Sequence, residues 1–98
     1  MKISKEKIET KLTVTPKGRL DTTTAPELSD ALKDSLDGVT ELIMDLKGLE
    51  YISSAGLRVL LSAQKVMDKQ GKMIVRNAND SIKEIFEVTG FSEILTIE

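Results

Sequence analysis

The stretch Asp45-Leu46-Lys47-Gly48-Leu49-Glu50-Tyr51-Ile52-Ser53-Ser54-Ala55-Gly56-Leu57-Arg58-Val59-Leu60-Leu61 passes from a buried strand through a short loop to paired serines and a helix. The serines stand where the helix opens. The first N–H groups of a helix lack intrahelical partners and the dipole makes that end positive, so Ser53 or Ser54 occupies a place that accommodates a phosphate. The same place suits a plain N-cap, in which a serine oxygen accepts from a backbone N–H two or three residues on for about 1 kcal/mol. Geometry alone leaves both readings open, a phosphorylatable switch and a structural cap.

Working outward, residues 2–8 and 11–16 predict two short strands joined near Glu9 and Thr10, with Leu12 and Val14 on one face and Thr13 and Thr15 on the other. Pro16 and Gly18 put irregularity at the far end. Thr24-Ala25-Pro26-Glu27 reads as a capping box with proline in the first turn. The helix behind it lines Leu28, Ala31, Leu32, Ser35 and Leu36 on one face, and Gly38 stops it. Leu42, Ile43, Met44 and Leu46 suit a central strand, and Lys47 to Ser54 a loop. A helix over about 54–69 turns Leu57, Leu60, Leu61, Gln64 and Met67 inward and Arg58, Ser62, Lys65 and Lys69 outward. Gly71 ends it. Met73-Ile74-Val75 is a strand, Asn79 or Asp80 caps a last helix with Ile82, Ile85 and Phe86 inside, and Gly90 precedes a strand at Ile94-Leu95-Thr96-Ile97.

This switching of the apolar period between two and about three and a half marks an α/β domain spanning residues 1–98. The architecture expected is a mixed, mostly parallel sheet with a leading β-hairpin. Right-handed crossovers put the helices mainly on one face and gather the loops after the parallel strands at one edge. Asp21, Thr22, Thr23, Ser53 and Ser54 then share a surface. Asp21 also fits a plain turn residue, Thr24 is accounted for as a cap, and Gly56 as a point of close helix–sheet approach. Arg58 lies four residues after Ser54 and can reach back to a phosphate there.

Composition excludes much. The 98 residues carry 14 basic and 16 acidic side chains for a net charge of −2, without a basic block, so the attraction that drives nucleic-acid or anionic-membrane binding is missing. Tyr51, Phe86 and Phe91 are the only aromatics, too few for base stacking. Cysteine and histidine are absent, which removes the usual metal ligands, thiol nucleophiles, disulfides and the commonest general base. A serine nucleophile would have only Lys47 or a carboxylate such as Asp45 nearby, and neither a GxSxG elbow nor a GxxxxGK[ST] phosphate loop occurs. No cofactor is called for. With no apolar leader and no run of about 20 apolar residues, a cytoplasmic protein without membrane contact is expected.

Leu49-Glu50-Tyr51-Ile52-Ser53-Ser54-Ala55-Gly56-Leu57 resembles the signature of the STAS domain family, in particular its free-standing anti-sigma factor antagonists. Gly18-Arg19-Leu20-Asp21, followed by threonines, matches a second segment, and the likeness covers nearly the whole chain. The resemblance implies a single STAS-type domain, and phosphorylation at the serine two residues before the glycine, here Ser54. Ser53 stands where the family very often has aspartate. The resemblance further implies a partner surface of Asp21, Thr22, Thr23, Ser53, Ser54, Gly56 and Arg58 that docks an anti-sigma factor serine/threonine kinase. Binding releases the sigma factor, phosphorylation abolishes it, and a serine phosphatase resets the cycle. The alternative within the same family is a non-switching scaffold or small-ligand module using the same edge.

Overall fold

Alternating side chains build the first two strands of the computed structural model, which describes residues 1–98. β1 (Lys2–Ile8) and β2 (Lys11–Leu20) pair antiparallel from Lys2↔Lys17 to Ile8↔Lys11, turning through Glu9 and Thr10. There follow α1 (Ala25–Lys33), β3 (Glu41–Asp45), β4 (Leu49–Ile52), α2 (Ser54–Gln70), β5 (Lys72–Arg76), α3 (Asp80–Val88) and the single turn α4 (Phe91–Ile94). The sheet runs β1-β2-β3-β5, with β4 also on β2, and every pairing after the hairpin is parallel.

The segment expected to be a loop after β3 contains β4. β3 pairs with Lys11–Val14 of β2 and β4 with Gly18–Leu20, so the two are successive pieces of one lane beside β2. Glu50 is the extra residue of a bulge, because Leu49 faces Gly18 while Tyr51 faces Arg19. The bulge lets Leu49 and Ile52 both turn inward although three positions separate them, which hides the strand from a period-two reading. β2 itself runs past Pro16, four residues beyond the expected end. Pro16 falls between the β3 and β4 ladders, where a central strand tolerates a residue without an N–H.

One side of the sheet carries the core. Leu12, Leu42 and Met73 form one cross-strand row and Val14, Met44 and Val75 the next, all 2% exposed or less. Leu28 and Leu32 of α1, Leu57, Leu60 and Met67 of α2, and Ile82 and Phe86 of α3 belong to the same cluster, so the helices cover a single face. Each fully buried Leu, Ile or Phe there contributes about 1.5–3 kcal/mol. On the other face Thr13, Ile43 and Ile74 form a row outside that cluster.

Three further boundaries differ from the sequence reading. α1 ends at Lys33 rather than at Gly38, and Leu36 and Val39 enter the core from turns instead. The side-chain amide of Gln70 donates to Leu36 O at 2.6 Å and Val39 O at 2.7 Å, holding those turns against the end of α2. The last strand reduces to a bridge between Ile97 and Val75. Phe91 and Leu95, four residues apart, both pack on the core, the spacing of a helical turn rather than a strand. The capping box of α1 lies three residues earlier than expected, as described below.

Asn79 ties the last helix to the sheet. Its Oδ1 accepts from Ile82 N at 2.8 Å, capping α3, and its Nδ2 donates to Leu49 O of β4 at 3.3 Å. Asn79→Ala should therefore cost about 1–2 kcal/mol in chemical denaturation. Asn79→Asp keeps the cap, loses the donor and should fall between wild type and alanine.

Candidate functional site

β4 brings the two motif segments together. Leu20 and Ile52 are register partners at the ends of parallel strands, and Ser53 N donates to Leu20 O at 2.9 Å. The next residues on each strand, Asp21 and Ser53, therefore leave the sheet side by side at its carboxyl edge.

The two serines differ in their hydrogen bonding. Ser53 is extended (φ −100°, ψ 177°) and its Oγ accepts from Gly56 N at 3.4 Å, so it is the N-cap of α2. Ser54 is the first helical residue, exposed, and its hydroxyl has no hydrogen-bond partner in the protein. Gly56, assigned to the partner surface by the family pattern, is buried. A Cβ there would lie 2.7 Å from Leu20 Cγ and 2.8 Å from Ile52 Cγ1. The missing side chain lets α2 descend onto the pair that aligns the site.

Asp21 organises the neighbouring loop. Its Oδ1 accepts from Thr23 N (3.0 Å), Thr23 Oγ1 (2.8 Å) and Thr24 N (3.1 Å), and Thr24 Oγ1 lies 3.2 Å away. In return Asp21 N donates to Thr24 Oγ1 at 2.8 Å, and that hydroxyl also lies 2.7 Å from Arg19 O. This reciprocal pair is a capping box with aspartate as the cap, which displaces the Thr24–Glu27 box read from sequence; Thr24 makes no side-chain cap of its own. The Thr23 hydroxyl first, and then the Thr24 amide, hold the Asp21 carboxyl below its ordinary pKa.

Of the remaining positions, Thr22 is exposed with an unbonded hydroxyl, while that of Thr23 is committed to Asp21. Arg58 is exposed on α2 one turn after Ser54 and pairs with no carboxylate. Sequence reasoning passed over Arg19 and Tyr51. These register partners, two residues before Asp21 and Ser53 in the chain, place the guanidinium carbon 4.2 Å from the ring centroid. The signal was present in the motif Gly18-Arg19-Leu20-Asp21, but without β4 nothing sets Tyr51 beside it.

The fold is thus a small mixed, mostly parallel α/β domain with an exposed serine opening a helix at the carboxyl edge of its sheet. The STAS domain model matches residues 2–98, and the chain belongs to that family. It is 34% identical over 99 residues to BtrV of Bordetella bronchiseptica, a protein named as an anti-sigma factor antagonist, covering 99% of this chain and 85% of BtrV. In three dimensions it resembles an anti-sigma factor antagonist from Mycobacterium paratuberculosis (TM-score 0.89, 23% identity, 98% of this chain and 83% of that one). It also resembles the Bacillus cell fate determinant SpoIIAA in its phosphorylated form (TM-score 0.77, 16% identity, 99% and 91%). No helix is long and apolar enough to cross a membrane.

The lowered Asp21 pKa carries a pH dependence. A carboxyl whose folded pKa lies below its unfolded one contributes stability that is present above the unfolded value and lost as pH falls through the folded value. The stability difference between wild type and Asp21→Asn, measured by urea denaturation, should be constant above about pH 5 and shrink as pH drops below about 4. A difference independent of pH would mean that the carboxylate charge adds nothing to the loop.

Proposed function

We propose that this chain is an anti-sigma factor antagonist working as a phosphorylation-controlled partner switch, with residues 1–98 acting as one cytoplasmic STAS domain. The observation that carries the reading is the division between Ser53, which caps α2, and Ser54, whose unbonded hydroxyl faces solvent at the first helical position. In this reading the unmodified form binds an anti-sigma factor serine/threonine kinase and frees the sigma factor. The kinase then transfers the γ-phosphoryl group of ATP to Ser54 Oγ, whose proton is lost as ADP leaves. A serine phosphatase hydrolyses the ester and resets the cycle. The protein is substrate and ligand, and the catalysis belongs to its partners. The likeness to named antagonists, BtrV at 34% identity among them, supports the reading.

The physics suits a switch that leaves the fold alone. Phosphorylation adds about −1.5 to −2 charges at an exposed helix N-terminus, where the dipole favours them, and those charges must be desolvated if a partner is to dock. Asp21 and Thr22, beside the serine across the Leu20–Ile52 pair, and Arg58, one turn along α2, complete the partner surface.

Peptide mapping after incubation with kinase and ATP should find the phosphate on Ser54. Modification confined to Ser53, or persisting in Ser54→Ala, would overturn the assignment. Ser54→Ala should remain kinase-bound and Ser54→Asp should bind weakly, since only the second puts charge into the interface.

Arg58 should bond the phosphate once it is present, because its planar fork takes two oxygens at once. Thermal melts of both forms, in wild type and Arg58→Ala at low salt, should show the mutation lowering the phosphorylated form more, by about 1 kcal/mol or less for so exposed a pair. Equal shifts in both forms would mean that Arg58 never meets the phosphate.

A further inference from the structure

The two motif segments carry a net charge opposite to that of the chain. Segments 17–24 and 47–58, which run side by side through β2 and β4 up to this edge, carry Lys17, Arg19, Lys47 and Arg58 against Asp21 and Glu50, a formal +2 on a chain whose total is −2. All four cations are exposed. None is paired within the molecule, whose single ion pair joins the N-terminal amine to Glu27 at 4.0 Å. Asp21 already holds three donors on one oxygen.

Within this patch one element is preorganised. Arg19 lies over the Tyr51 ring at 4.2 Å, and the Glu50 bulge and the Leu20–Ile52 ladder fix the two strands that bear them. Tyr51 remains 38% exposed, one of five large apolar or aromatic side chains so placed. Arginine and tyrosine are side chains on which interface energy concentrates, and stacking restricts the guanidinium before a partner arrives.

Resting on the antagonist reading above, we propose that Arg19 and Tyr51 are the specificity anchor of this surface, and that the kinase meets them with carboxylates. The patch also explains how the phosphate acts. About two negative charges added at Ser54 offset the +2 of these segments, so the modified form loses attraction toward an acidic partner surface as well as meeting repulsion from it. Arg19 lies outside the phosphorylation chemistry. It determines which kinase is bound, not whether Ser54 can be modified.

The test uses the full chain and the anti-sigma factor kinase of its own genome, with affinity measured at low and high salt. Wild-type binding should weaken as salt rises. Arg19→Glu should weaken it about tenfold or more at low salt, with a flatter salt dependence, while Ser54 is still phosphorylated at saturating kinase. Arg19→Lys keeps the charge but not the planar stacking and should lose only part of the affinity. Tyr51→Phe should bind like wild type and Tyr51→Ala several-fold more weakly. Melting curves confirm that these surface variants fold. If wild type binds and is modified but Arg19→Glu or Tyr51→Ala binds within twofold of it, the anchor is wrong and the switch stands. If wild type neither binds nor is modified, the antagonist reading falls and takes the anchor with it.

Discussion

The parallel pairing of Leu20 with Ile52 is the constraint on which the site depends. Motif segments some thirty residues apart would otherwise emerge from the sheet at unrelated heights. The Ser53 N to Leu20 O bond, at 2.9 Å, sets both to the same level, and the missing side chain at Gly56 allows α2 to start directly above that pair. A register slip of one residue would turn Leu20 and Ile52 out of the core and carry Asp21 and Ser53 away from the edge together, so core burial and site alignment are enforced by the same contacts.

The serine pair divides a hydrogen-bonded cap from an uncommitted hydroxyl within two adjacent residues, which is what the proposed switch needs. A phosphate on Ser53 would occupy the oxygen that caps α2 and would have to be fitted beneath the helix start. Ser54 commits no hydrogen bond to the fold, so its hydroxyl can be esterified without breaking one. A serine in the cap position, where the family often has aspartate, retains the capping function because either oxygen accepts from the same N–H groups. Asp21 supplies the equivalent cap on the neighbouring segment, through the reciprocal bond with Thr24.

The hairpin, the three longer helices and the parallel strands β3 and β5 were legible because each spans enough residues for the apolar period to declare itself. β4 was not. Its four residues contain a bulge, and the burial of Leu49 and Ile52 with Glu50 and Tyr51 exposed matches neither period. That one gap accounts for what was missed at the site, since the Arg19–Tyr51 stack exists only through β4. The shared edge of Asp21 and the serines was still inferable, because right-handed crossovers and parallel strands place those loops together whatever the local pairing. The displaced capping box has a local cause. Asp21 is the better acceptor and sits one turn earlier, so it takes the amides and leaves the Thr24 hydroxyl to bridge Asp21 N and Arg19 O.

Magnitudes decide where such a switch acts. A negative charge at the exposed start of a helix gains about 0.3–1 kcal/mol from the dipole. The same charge brought within about 4 Å of a like charge at a partially desolvated interface meets repulsion of as much as about 4 kcal/mol at an effective dielectric near 20. The first stabilises the fold slightly, while the second opposes docking by up to about three orders of magnitude in affinity. In the proposed switch, phosphorylation at Ser54 would therefore discriminate between bound and free states far more than between folded and unfolded ones. That ordering holds only while the acceptor stays outside the packed core, as the exposed first position of α2 keeps it.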